Sequence, residues 1–154
     1  MSHVAKINLK ITDLDSLGKA CKRLGLELMI GQKTYKWYGR SVGDYRALDA
    51  VTMPDGKCEH AIRVKGNSQA YEIGLVKAKD GKGFELVWDH WNGGYGLCQK
   101  VMYPASAKQV RMAPNANLLK DWYAAEVARK TMARQGFMVQ ATQGQGKVLV
   151  SCSR

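Results

Sequence analysis

The segment Trp88-Asp89-His90-Trp91-Asn92-Gly93-Gly94-Tyr95-Gly96 gathers the residue types that chemistry could use. Consecutive glycine amides can form a nest for an anion, and Asp89 and His90 are of the kind that transfers protons. The spacing is neither GxGxxG nor GxxxxGK[ST], so the expectation is a tight turn that needs glycine, and no catalytic residue is assigned. Trp91, Asn92, Gly93, Gly94 and Tyr95 are kept as a candidate partner-binding surface. Cys58 and His60, followed by His90 and Cys98, offer four ligands of the sort that hold zinc tetrahedrally. Their spacing fits no standard zinc pattern, so free thiols and ordinary histidines are expected, with no metal and no cofactor. Nucleophile motifs such as GxSxG are absent, and the balance is against an enzyme.

The broader signal is basic and aromatic. Residues 17–40 hold six cations (Lys19, Lys22, Arg23, Lys33, Lys36, Arg40) against Glu27. Residues 100–134 hold seven, including Arg129, Lys130 and Arg134, against Asp121 and Glu126. Cations neutralise phosphates and release counterions, and flat rings stack on bases for about 1–3 kcal/mol each. Tyr35 and Trp37, alternating with Lys36, would suit single strands or RNA on a sheet face. No RNP, KH, helix-turn-helix or zinc-finger signature accompanies them, so the signal is charge alone. The competing reading is a solvated basic surface with the aromatics in the core.

These residues need elements to position them. Ala5, Ile7, Leu9 and Ile11 alternate with polar residues and predict a half-buried strand. Thr12 or Asp13 begins a helix in which Leu14, Leu17, Cys21 and Leu24 form one face, with Gly25 at its end. Leu26, Leu28 and Ile30 predict a second strand, 32–40 a third with an aromatic face, 41–59 a surface loop and 60–65 a short strand. A hairpin follows over 70–91, turning at Asp80-Gly81. Residues 98–116 read as a basic connector. A helix starts near Asn115 or Asn117, with Leu119, Tyr123, Val127 and Thr131 inward beside Ala124 and Ala128, and Gly136 caps it. Two strands over 137–152 close the chain. The expected fold class is α+β: a mostly antiparallel sheet with two helices packed on one face, in a single domain over 1–154.

Composition narrows the class. The chain has 154 residues, 45% hydrophobic and 24% charged, values that exclude wholesale disorder. Its 24 Lys and Arg against 13 Asp and Glu give +11, which excludes an acidic decoy and favours a polyanionic partner. Cys21, Cys58, Cys98 and Cys152 follow no CxxC spacing and read as reduced thiols. Neither a signal peptide nor a run of about 18 apolar residues is present, so the expected setting is cytoplasmic and away from membranes.

The opening Met1-Ser2-His3, the stretch Lys6-Ile7-Asn8-Leu9-Lys10-Ile11-Thr12-Asp13 and the capped helix to Gly25 resemble an uncharacterised family of plastid genomes, cyanobacteria and tailed phages, catalogued as domain of unknown function number twelve fifty-seven. The pair Ala70-Tyr71-Glu72-Ile73-Gly74-Leu75 and Leu86-Val87-Trp88-Asp89 is similar to that family's hairpin, and Ala125-Glu126-Val127-Ala128-Arg129 through Arg134-Gln135-Gly136-Phe137 to its end. The resemblance omits 41–59 and 98–116. It implies a compact α+β domain of phage or cyanobacterial type, offers no catalytic residue, and points to an AAA-type ATPase as a protein partner. The leading expectation is a non-enzymatic basic accessory protein, phage-encoded, that binds nucleic acid or a complex containing it, through Lys19, Lys22, Arg23, Lys33, Tyr35, Lys36, Trp37, Arg40, Arg129, Lys130 and Arg134. The alternative is an adaptor or inhibitor docking on a host or phage machine such as that ATPase.

Overall fold

The computed structural model describes residues 4–37, 56–104 and 115–154. Strand β1 (Val4–Ile11) leads into helix α1 (Leu14–Arg23) and strand β2 (Leu26–Ile30). Strands β3 (His60–Val64), β4 (Ile73–Lys77) and β5 (Phe84–Asp89) follow. Then come helix α2 (Leu97–Val101), helix α3 (Asn117–Arg134) and the hairpin β6 (Met138–Gly144) and β7 (Lys147–Ser153). The main sheet runs β1-β5-β4-β3-β2, every neighbouring pair antiparallel. The chain is α+β, as its alternating patterns predict.

The period-two patterns sort the side chains between the two faces of the sheet. Ile7 and Ile11 of β1, Ile62 and Val64 of β3, Ile73 and Leu75 of β4, and Leu86 and Trp88 of β5 join the main core with Leu17, Ala20 and Cys21 of α1 and Leu119, Trp122 and Tyr123 of α3. The opposite face carries a smaller cluster of Ala61, Val87, Cys58, Tyr35 and Trp37. Residues Gly74 and Val76 lie on that second face as well.

Asp13 caps α1, its carboxylate accepting from the Asp15 and Ser16 amides, which satisfies two of the donors that a helix start leaves open. The Tyr123 hydroxyl accepts from the Thr12 and Asp13 amides at 3.0 and 3.2 Å, so α3 grips the entry to α1. At the other end Gly25, at φ 72°, turns the chain into β2.

Four local expectations need correcting. Residues 32–37 are not a strand of the sheet. They run across its second face, where Thr34 bridges Lys57. Glu72 pins them there: its carboxylate accepts from the Lys36 amide at 2.8 Å and from Gln32 Nε2 at 3.0 Å. The final hairpin stays outside the main sheet as a pair of its own, packed on α3 and tied by Trp122 Nε1 donating to Gln143 at 3.0 Å. The connector includes α2, whose Leu97, Cys98 and Val101 enter the core, so among the described residues three helices and not two contribute to it. Last, the inward face of α3 is Leu118, Leu119, Trp122, Tyr123, Ala125 and Glu126, while Ala124 and Thr131 are exposed. The buried residues of α3 all lie between Leu118 and Glu126.

Candidate nucleic-acid interface

The structure splits the eleven residues expected to bind nucleic acid. Tyr35 and Trp37 are 1% and 8% exposed, so no base can stack on them, and that assignment is withdrawn. The physical reason lies in Gly74. A Cβ there would stand 2.4 Å from Tyr35 Cδ1, so the glycine is the seat of the Tyr35 ring. Lys33 pairs with Glu59 at 2.8 Å, and Lys36 Nζ donates to the Ser68 carbonyl at 2.8 Å. Both sit on the segment that covers the second face of the sheet, away from the helices. Arg40 lies outside the described residues, as do most of the expected loop over 41–59 and part of the connector.

Of the remaining six, four converge. Lys19 from α1 and Arg129, Lys130 and Arg134 from α3 line one groove of about 380 Å³, with Glu126 and Ala133 at its floor and wall. Arg23 continues α1 beside it, against Glu126, while Lys22 lines a second groove toward β2. The antiparallel packing of α1 against α3 brings basic residues about 110 positions apart to one seam. Three carboxylates hold part of this charge. Arg23 Nε donates to Glu126 at 2.7 Å, and its guanidinium lies 4.5 Å from the centre of the Trp122 ring. Lys130 reaches Asp13 at 3.0 Å and Asp15 at 3.7 Å, while Lys19 meets Asp15 at 3.5 Å. Lys22, Arg129 and Arg134 make no ion pair among the described residues. Arg23 is therefore a structural partner of Glu126, which is 4% exposed. An unpaired carboxylate there would be costly.

Sequence reasoning missed Glu126 and Asp13 as the groups that fix two of these cations. The signal that would reveal such long-range pairs is tertiary, since their partners lie 103 and 117 residues away. Asp13 is held at about 2, well below the usual carboxylate value, chiefly by the Lys130 ammonium and then by the Ser16 hydroxyl.

The glycine segment is one turn of left-handed helix. Asn92, Gly93, Gly94 and Tyr95 have φ between 49° and 64°, a conformation that costs about 1–2 kcal/mol per residue bearing a Cβ. It leads straight into α2. Gly94 is buried and its carbonyl accepts from the Tyr71 amide at 2.8 Å. Tyr95 is 46% exposed and stands edge-on to Tyr71, centroids 5.0 Å apart. Asp89 is buried, and its Oδ1 accepts from the Trp91 amide at 2.9 Å. Of the five candidate partner-binding residues, Asn92 and Tyr95 face solvent while Trp91 packs against the main core.

The four candidate metal ligands do not assemble. Cys58 belongs to the cluster on the second face of the sheet and Cys98 to the main core. Burial pushes both thiols up to about 12, so they stay protonated. His60 accepts from the Gly31 amide at 2.9 Å through Nδ1, and burial followed by the Lys33 charge lowers its pKa. Among the described residues no three His, Cys, Asp or Glu side chains are placed to hold a metal ion together, and no helix is long and apolar enough to cross a membrane. Compared with known proteins, the chain matches no family model, no curated protein and no solved structure.

Proposed function

We propose that the protein binds nucleic acid through its phosphate backbone, in the seam between α1 and α3. One observation supports this reading above the others: Lys19, Arg129, Lys130 and Arg134, from two distant segments, line a single groove, with Arg129 and Arg134 uncommitted to any carboxylate among the described residues. The burial of Tyr35 and Trp37 removes base stacking from the mechanism. What is left is phosphate neutralisation, which is indifferent to sequence and tolerant of duplex and single strand alike.

The test is fluorescence polarisation with labelled 20-nucleotide RNA and DNA, single-stranded and duplex, at 50 and 200 mM salt. Binding at 50 mM that falls steeply at 200 mM, and that the double variant Arg129→Ala/Arg134→Ala weakens at least tenfold, supports the reading. Absence of binding to every probe at 50 mM overturns it. The adaptor reading, with an AAA-type ATPase as partner, draws less support, since the left-handed turn offers solvent little beyond Asn92 and Tyr95.

A further inference from the structure

The two edges of the main sheet are treated differently. β1, at one edge, carries a register break between Ile7 and Lys10 and the flanking charges Lys6 and Lys10, devices that discourage another strand from pairing. β2, at the other edge, has an unbroken five-residue register with β3. Its outward row of backbone groups can be identified. The Lys65 amide donates to the Gly25 carbonyl and the Gly31 amide to the His60 ring, so odd-numbered residues aim their backbone at β3. The N–H and C=O groups of Leu26, Leu28 and Ile30 therefore point away from the sheet, and no strand pairs with them among the described residues. Ile30 is 63% exposed.

Beside this edge runs a groove of about 520 Å³ whose walls include Leu14, Gly18, Lys19, Lys22, Leu28 and Ile30. Gly18 is informative. It lies in the interior of α1, where glycine costs roughly 1 kcal/mol relative to alanine. Packing does not require it: a Cβ there would meet only Leu28 Cδ2, at an ordinary 3.8 Å. The missing side chain keeps the groove open. Of the charged residues that line it, one cation, Lys22, is left unmatched among the described residues. Asp15 and Glu27 line it too, but Asp15 is matched by Lys19 and Lys130, and Glu27 by Arg63 at 2.6 Å.

We propose that the β2 edge, unpaired among the described residues, and the groove beside α1 dock an extended, acidic segment of a partner protein by strand addition. The ladder would supply the main-chain hydrogen bonds. Alternate apolar side chains would enter the groove against Leu14, Gly18 and Leu28, and acidic side chains would meet Lys22. A second copy of this chain suits the edge less well, because each copy carries +11. The site adjoins the α1–α3 seam, with Lys19 lining both grooves, but the strand ladder along β2 does not depend on nucleic-acid binding.

The experiment uses a labelled eight-residue peptide alternating valine and glutamate, and a counterpart with lysine in place of glutamate. The acidic peptide is expected to bind saturably, one per chain, and the lysine peptide at least tenfold more weakly. Ile30→Pro removes one outward N–H at an exposed edge position, the place in a sheet that tolerates proline, and leaves the net charge unchanged. It is expected to weaken the acidic peptide at least tenfold while circular dichroism and RNA binding stay as in the parent. Lys22→Glu, at an exposed position, is expected to weaken it severalfold. No binding of the acidic peptide, equal binding of both peptides, or full binding by folded Ile30→Pro would each overturn the proposal. So would a concentration-dependent dimer in sedimentation that Ile30→Pro abolishes, since the occupant would then be a second copy. Loss of RNA binding by the parent, with peptide binding kept, counts against the seam alone.

Discussion

Gly74 and Tyr35 show how one missing methyl group determines what a surface can do. The ring lies where a Cβ of residue 74 would have to be, and the Tyr35 amide is fastened to the Gly56 carbonyl at 2.9 Å. Gly74→Val is expected to destabilise the protein by about 1–3 kcal/mol, the usual cost of overpacking, and to loosen Trp37 from its neighbour. Denaturant titration with tryptophan fluorescence reads both, and unchanged stability would contradict the contact. Arg23 gives a second case. Removing it leaves Glu126 buried beside Trp122, so Arg23→Ala is expected to cost about 2 kcal/mol, discounted because the arginine is itself partly exposed. Lys22→Ala next to it should stay within about 0.5 kcal/mol. Equal effects in the same titration would refute the distinction. In sequence Lys22 and Arg23 are alike, two adjacent cations on one helix. Only the fold separates the one that holds a carboxylate from the one that does not.

At the level of elements, the legible parts were those whose pattern is local. The alternation in β1, β4 and β5, the Asp13 cap and the Asp80-Gly81 turn each depend on residues within a few positions of one another, and each forms as the pattern predicts. The segment 32–37 has the same alternation as a strand, yet its partner is a face and not an edge. Period two records that one side is buried and does not say by what. The α1–α3 seam was legible only as two separate charge runs. The cap also makes a pH prediction. Asp13 titrates near 2 in the folded protein and near 3.8 as a free side chain, so the folded state favours its ionised form. The stabilisation is complete above about pH 4 and disappears as pH falls toward 2. Asp13→Asn keeps an acceptor for the helix amides but cannot ionise. Its stability is expected to fall below that of the parent at pH 6 and to approach it by pH 2, measured by thermal melting. A gap that stays constant with pH would show that the Lys130 pair contributes nothing.

For the whole molecule, the distribution of charge matters more than its total. Among the described residues, Lys6, Lys33 and Arg63 are matched by Glu85, Glu59 and Glu27, whereas Lys22, Arg129 and Arg134 on the helices have no carboxylate partner. If the seam neutralises three phosphates, raising salt from 50 to 200 mM should weaken duplex binding by about 40-fold. A change of only two- or threefold in the polarisation titration would mean that a single phosphate is engaged.

The placement of β1 has a further consequence, for synthesis. β2, β3, β4 and β5 can zip together in order as they emerge, each beside the one before. β1 is made first, yet its place is next to β5, with Val4 facing Asp89 and Ala5 facing Trp88. A nascent chain must therefore keep this half-apolar strand waiting until more than seventy residues have followed it out of the ribosome.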